Sequence, residues 1–197
     1  MKKYIGLSII IIAIVLILIG LKLYSNKTNS EIEKYEYSII KTDGDIEIRN
    51  YEPALFTSVT LPSNTYKKSS NQGFRVLAGY IFGGNEDSEK IAMTSPVSMS
   101  LGDSMQMMFK VPKEYNKDEL PKPNDDQIQF VEVPAKKMAA IQFGGWSNDE
   151  KIEENKRKLT EYLNSNKIPY TDNFFFYGYN PPYEIFNRKN EVLVELM

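Results

Sequence analysis

Five of the eight methionines, Met93, Met99, Met105, Met107 and Met108, fall within residues 93–108. A thioether is a soft ligand and an adaptable packing group, so the cluster reads as gap-filling core, as the lining of a ligand pocket, or as a metal donor set. Strand alternation sends Met107 and Met108 to opposite faces, which argues against a Cu(I) site. The chain has no histidine and no cysteine. That removes imidazole bases, Ser-His-Asp triads, metal centres built on those ligands, thiol nucleophiles and disulfides together. Asp43, Asp45 and Glu47 alternate along one strand face, where a solvated surface is a simpler reading than a cation site. The pairs Gly83-Gly84 and Gly144-Gly145 are caps and turns rather than phosphate loops. In the aromatic run after Asn173, Phe174, Phe176 and Gly178 face opposite to Phe175, Tyr177 and Tyr179, so one set packs a core and the other lines a groove.

The elements that must position these residues follow from periodicity. Phe74, Leu77, Ala78 and Ile81 recur at i, i+3, i+4, i+7 and predict a helix that begins near Thr65 and is ended by Gly83-Gly84. A strand over Ile91–Met99 and a second over Met105–Val111 follow as a hairpin. Upstream, Tyr35, Tyr37 and Ile39, the Asp43-Gly44 turn, Ile46, Ile48 and Tyr51, and then Ala54–Leu61 make a three-stranded meander. A long proline-broken link, Pro112–Asp126, precedes a repeat of the pattern. Strands over Ile128–Val133 and Met138–Phe143 lead into a capping sequence, Ser147–Glu150, and a helix with Ile152, Leu159, Tyr162 and Leu163 as its stripe. Strands Tyr170–Tyr179 and Val192–Leu196 close the chain. The predicted fold class is α+β: a duplicated βαβ-type module forming a distorted β-barrel with two flanking helices, both outside, preceded by an N-terminal transmembrane helix.

Residues Tyr4–Leu23 are almost continuously apolar, and about 20 such residues span a bilayer core. No small-x-small pattern follows, so the segment reads as an uncleaved anchor. Lys2 and Lys3 favour a cytoplasmic N-terminus with the folded domain outside the cytoplasm. The expected division is a membrane anchor over 1–24, a tether over 25–34 and one domain over 35–197. The whole chain carries a net charge of −2; since residues 1–24 hold three lysines and no acids, the remainder carries −5. An acidic domain lacks the basic footprint that nucleic acid requires.

The run from Gly73-Phe74 to Asn85, Lys90-Ile91-Ala92-Met93-Thr94-Ser95-Pro96-Val97, Phe109-x-Val111-Pro112-x-x-Tyr115, Pro121-x-Pro123, Phe143-Gly144-Gly145, Gly178-Tyr179-Asn180-Pro181-Pro182 and Arg188-x-Asn190-Glu191-Val192 resembles the SOUL haem-binding protein family. The hairpin sequence IEIRNY ending at Tyr51 resembles the family's start, and the likeness spans Tyr35–Met197. It implies a barrel of two similar halves and non-covalent binding of haem, a related tetrapyrrole or another flat hydrophobic ligand in an apolar groove beside the first helix. On this sequence the implied groove residues are Phe74, Leu77, Ala78 and Ile81, with Arg75 as a propionate partner and Met93 as lining. No imidazole or thiolate can ligate iron here, which leaves hydrophobic binding or ligation by Met or Tyr. The family is not enzymatic by this reading, and a Tyr–Glu hydrolase has no motif to support it. The alternatives are a protein interaction module docking through Phe175 and Tyr177, and an effector-type small-molecule domain with no haem role.

Overall fold

The structure, a computed structural model, describes residues 32–61, 65–102, 104–181, 184 and 187–197. The expected anchor over 1–24 and most of the tether lie outside the described residues; among those described, no helix is long and apolar enough to cross a membrane. Residues 33–197 form a compact unit.

The meander is present as β1 (Tyr37–Asp43), β2 (Ile46–Tyr51) and β3 (Ala54–Thr60). Helix α1 (Tyr66–Ile81) follows, and the chain leaves it through Phe82 and Gly83, the latter at φ +108°, the left-handed conformation that glycine adopts at least cost. The next strand, β4, runs from Val97 to Leu101. It is shorter than the sequence predicts: Ile91–Pro96 is irregular, tied instead by Ile91 N–H to the Ile81 carbonyl and by the Thr94 hydroxyl donating to the Lys110 carbonyl. Strand β5 (Gln106–Lys110) pairs with β4 as expected, Val97 opposite Phe109. The second half supplies β6 (Gln129–Val133), β7 (Lys136–Gly144), α2 (Asp149–Ser165), β8 (Tyr170–Gly178) and β9 (Lys189–Leu196). Asn148 caps α2 by accepting from Lys151 N–H. The carboxylate of Asp149 accepts from the Tyr66 and Lys67 amides, so the first turn of α2 also satisfies orphan donors of α1.

All nine strands join one antiparallel sheet in the order β1-β2-β7-β9-β8-β4-β5-β3-β6. The duplication is explicit in that order. One repeat is β3-α1-β4-β5, the other β7-α2-β8-β9; they meet where β4 pairs with β8, and β6 and β2 extend the two arms. The expectation of two βαβ-type sheets closing into a barrel is corrected to a single curled half-barrel of βαββ repeats, because β4 and β8 bond directly and leave no seam between the halves.

Both helices lie on one face. Leu77 and Ile81 of α1, and Ile152, Leu159 and Leu163 of α2, pack with Val59, Met99, Met107, Phe109, Ile141, Phe176, Val192 and Val194 into the main core. Each such side chain contributes roughly 1.5–3 kcal/mol on burial. The opposite face carries a second, aromatic cluster of Tyr35, Tyr51, Phe56, Met108, Met138, Tyr177 and Leu193. Tyr51 near one arm and Val131 and Val133 on the last strand of the other line one cavity, so this face is concave and the helices sit on the convex side.

Candidate functional site

The convex face holds the six residues expected at the ligand groove, and the structure separates them into layers. Leu77 is wholly buried, and Ala78 and Ile81 are nearly so; they are the core contact of α1. Phe74 is half-buried with its ring 5.4 Å from that of Phe109. Met93, also half-buried, and Ile81 flank a void of about 10 Å³ that Phe109 completes, room for about one water. Arg75 is exposed and makes no ion pair among the described residues. Thus Phe74, Ile81 and Met93 converge on Phe109, while Leu77 lies beneath them, closed to any ligand.

One residue that periodicity did not reveal completes this surface. Phe82, at the end of α1, is 63 % exposed. It stands eight residues after Phe74 on the same side of the helix, past the positions the core needs, with nearly buried Ala78 between the two rings of this ridge. Gly79, beside that ridge, has open space where a side chain would stand. The ridge is therefore flat and apolar, with Arg75 along one side and exposed Lys90 paired across from Phe82.

The concave face is a cleft of about 300 Å³ between aromatic walls. The rings of Tyr35 and Tyr51 are 4.7 Å apart, those of Tyr35 and Phe56 5.2 Å, and Tyr51 meets Tyr177 edge-on at 6.2 Å. Alternation along β8 does what the sequence indicates: Phe174 and Phe176 enter the helix-side core, and Phe175 and Tyr177 turn to the cleft. Tyr177 is buried there rather than offered to a partner's surface. The methionines divide likewise, Met99, Met105 and Met107 on the helix side and Met108 and Met138 on the cleft side.

At one end of the concave face an ion pair is enclosed. Arg49 donates to both oxygens of Glu191, at 2.8 and 2.9 Å, to the Tyr51 hydroxyl at 2.9 Å and to Glu47 at 2.7 Å. Its guanidinium lies 4.2 Å from the Tyr37 ring centre. Glu191 also accepts from the Tyr179 hydroxyl at 2.6 Å and pairs with Lys189 at 3.0 Å. Burial pushes the Glu191 carboxyl up, but the hydrogen bonds and charge of Arg49, with Lys189 and Tyr179, outweigh it and hold the group below its ordinary range. Each nitrogen of the guanidinium and each oxygen of the Glu191 carboxylate has a partner, which marks a structural clasp. Burial, with Glu52 adding to it, pushes the Tyr35 phenol up to about 12, and burial raises Tyr177 and Tyr179 well above their ordinary value. These phenols stay protonated near neutral pH. Among the described residues, no group of three or more carboxylates is placed to hold a metal ion.

A duplicated βαββ sheet with helices on its convex side, an apolar ridge along the first helix and an aromatic cleft behind it defines a small-molecule-binding domain. The SOUL heme-binding protein family pattern matches residues 32–195, and the chain belongs to that family. Heme-binding protein 2 of Mus musculus is 30% identical over 159 residues, covering 76% of this chain and 77% of its own. Heme-binding protein 1 of Xenopus laevis is 28% identical over 154 residues, covering 74% of this chain and 80% of its own. Among solved structures, the C-terminal domain of EcmrR superposes with a TM-score of 0.61 at 10% identity, covering 82% of this chain and 98% of its own. A hydrolase from Listeria innocua superposes with a TM-score of 0.51 at 7% identity, covering 80% and 94%. Those two likenesses show the fold alone. The family is one of binding proteins, and its ligand class is haem and related tetrapyrroles.

Proposed function

We propose that this protein binds haem, a related tetrapyrrole or another flat hydrophobic ligand non-covalently against the outer side of α1, without His or Cys ligation. The observation that carries the reading is the exposed Phe82 extending the Phe74–Ala78 ridge, since a folded domain keeps a large ring in water at a helix end at the expense of about 2 kcal/mol of transfer energy. A macrocycle face fits that flat strip. Arg75 and Lys90 flank it as cations for propionates, and Met93 is a half-buried thioether beside Ile81 and Phe109. The names of the relatives support the ligand class. The apolar segment 1–24 supports a single-pass anchor with a cytoplasmic N-terminus and an extracytoplasmic domain, a reading checked by alkaline carbonate washing of membranes and by protease treatment of intact cells.

Since the core, sheet and both helices all lie within residues 33–197, the fragment 25–197 folds alone and serves for the test. Haem titration followed at the Soret band saturates. Phe82→Asp weakens binding about ten- to a hundredfold, the loss of roughly 1.4–3 kcal/mol of ring burial. Arg75→Glu weakens it a few-fold and more at low salt, as a rim charge does. A titration that never saturates, or one unchanged by both substitutions, overturns the proposal.

A further inference from the structure

The concave cleft is separated from the α1 ridge by the thickness of the sheet, and nothing in the haem reading uses it. We infer that it is a second binding site, for an uncharged planar aromatic molecule with a hydrogen-bonding edge of phenol, lactam or quinone type. Three observations support this.

The first is shape and lining. The cleft holds about 300 Å³ at the small end of the range of ligand sites, and Tyr51, Phe56, Phe175, Met108 and Met138 form its walls. Rings and thioethers are the surfaces that take a planar aromatic face. The second is an unmet polar atom. Ser98 is buried at 1 % exposure and lines the cleft, and among the described residues its Oγ, although beside the Tyr177 hydroxyl, has no partner in good hydrogen-bond geometry. Leaving such a group unpaired is destabilising, and a ligand's polar edge would pair it. Next to it, Ser100 Oγ accepts from Gln106 N–H and has no acceptor for its own proton among the described residues, so a polar stripe runs through the apolar walls. The third is charge. Lys136 is the one ionic residue of the lining, and Glu195 already answers it at 3.2 Å. With that charge already answered, an ion has only ring-face contacts to offset the water it loses, and a neutral molecule is selected.

Adjacent methionines make the test specific, because Met107 and Met108 report opposite faces of the same strand. The fragment 25–197 carrying methyl-labelled methionine is titrated with 2-naphthol and read by NMR. Saturable ring-current shifts are expected at Met108 and Met138, with Met93, Met99 and Met107 unmoved. 2-Naphthoate and 2-naphthylmethylamine bind at least tenfold more weakly. Ser98→Ala, a small change that keeps the fold, weakens 2-naphthol several-fold. Val133→Phe fills the cleft and removes the shifts, while dispersed Met99 and Met107 signals confirm that it has folded. Shifts at Met93 or Met107 instead, equal binding of the charged analogues, or full affinity in Ser98→Ala would each overturn the assignment. None of these results depends on whether haem binds the convex face.

Discussion

Replacing Arg49 by Met tests the clasp that ties β2 to β9. The substitution keeps an unbranched aliphatic stem but removes the guanidinium that lies over Tyr37 and partners a carboxylate that is 0 % exposed. Glu191 would retain the Tyr179 hydroxyl and Lys189, but lose two charge-assisted bonds of 2.8 and 2.9 Å. Breaking one side of a buried pair costs about 3–5 kcal/mol. For a domain of this size, at about 2–4 °C per kcal/mol, the midpoint falls by roughly 6–20 °C. Urea unfolding of the fragment 25–197, followed by far-UV dichroism at several pH values, measures both magnitude and sign. In the parent, Glu191 titrates lower folded than unfolded, so its contribution is complete above the unfolded value of about 4.5 and is lost as pH falls through the folded value. In Arg49→Met, burial outweighs the remaining partners and the folded carboxyl titrates above the unfolded one. The sign inverts: acidification towards pH 5 relieves the variant while the parent is unaffected. Adding Glu191→Leu removes the stranded charge and recovers most of the loss. A loss under about 1 kcal/mol, or a variant that weakens with acid in parallel with the parent, refutes the account of the clasp.

Two further outcomes test the layering of α1. Leu77→Ala costs about 2–5 kcal/mol in urea unfolding because Leu77 is core, yet it changes the haem affinity of the folded protein less than Phe82→Asp does. Gly73→Ala brings a methyl to 2.5 Å from Leu61 Cδ2 and 3.2 Å from Met107 Cβ. The overpacking, about 1–3 kcal/mol, exceeds the gain of roughly 1 kcal/mol in helix propensity, so a net loss of about 1 kcal/mol is expected in thermal melts.

The fold was legible where one periodicity ruled. The α1 stripe, the Gly83 terminus, the β4–β5 hairpin and the repeat of strand–helix–strand–strand all stand in the sequence, because each is set by neighbours within about a dozen residues. Sheet closure was not, since whether β4 meets β8 is decided by residues 73 to 81 positions apart, and no local pattern distinguishes one curled sheet from two. The site shows the same division. Periodicity marks Leu77 and Ile81 as apolar but cannot tell a stripe facing a core from one facing a ligand; the distinction lies in what is left over. Phe82 is that remainder on the convex side, an apolar ring that extends the stripe past the end of the helix. On the concave side the signal was inverted. In Val97–Leu101 two serines alternate with Val97, Met99 and Leu101, yet Ser98 is buried and lines the cleft with rings contributed by β2, β3 and β8. A polar residue on a strand is ordinarily explained by water. Where curvature has replaced the water with aromatic walls, the same residue is an unmet hydrogen bond, and only the closed sheet reveals which of the two it is.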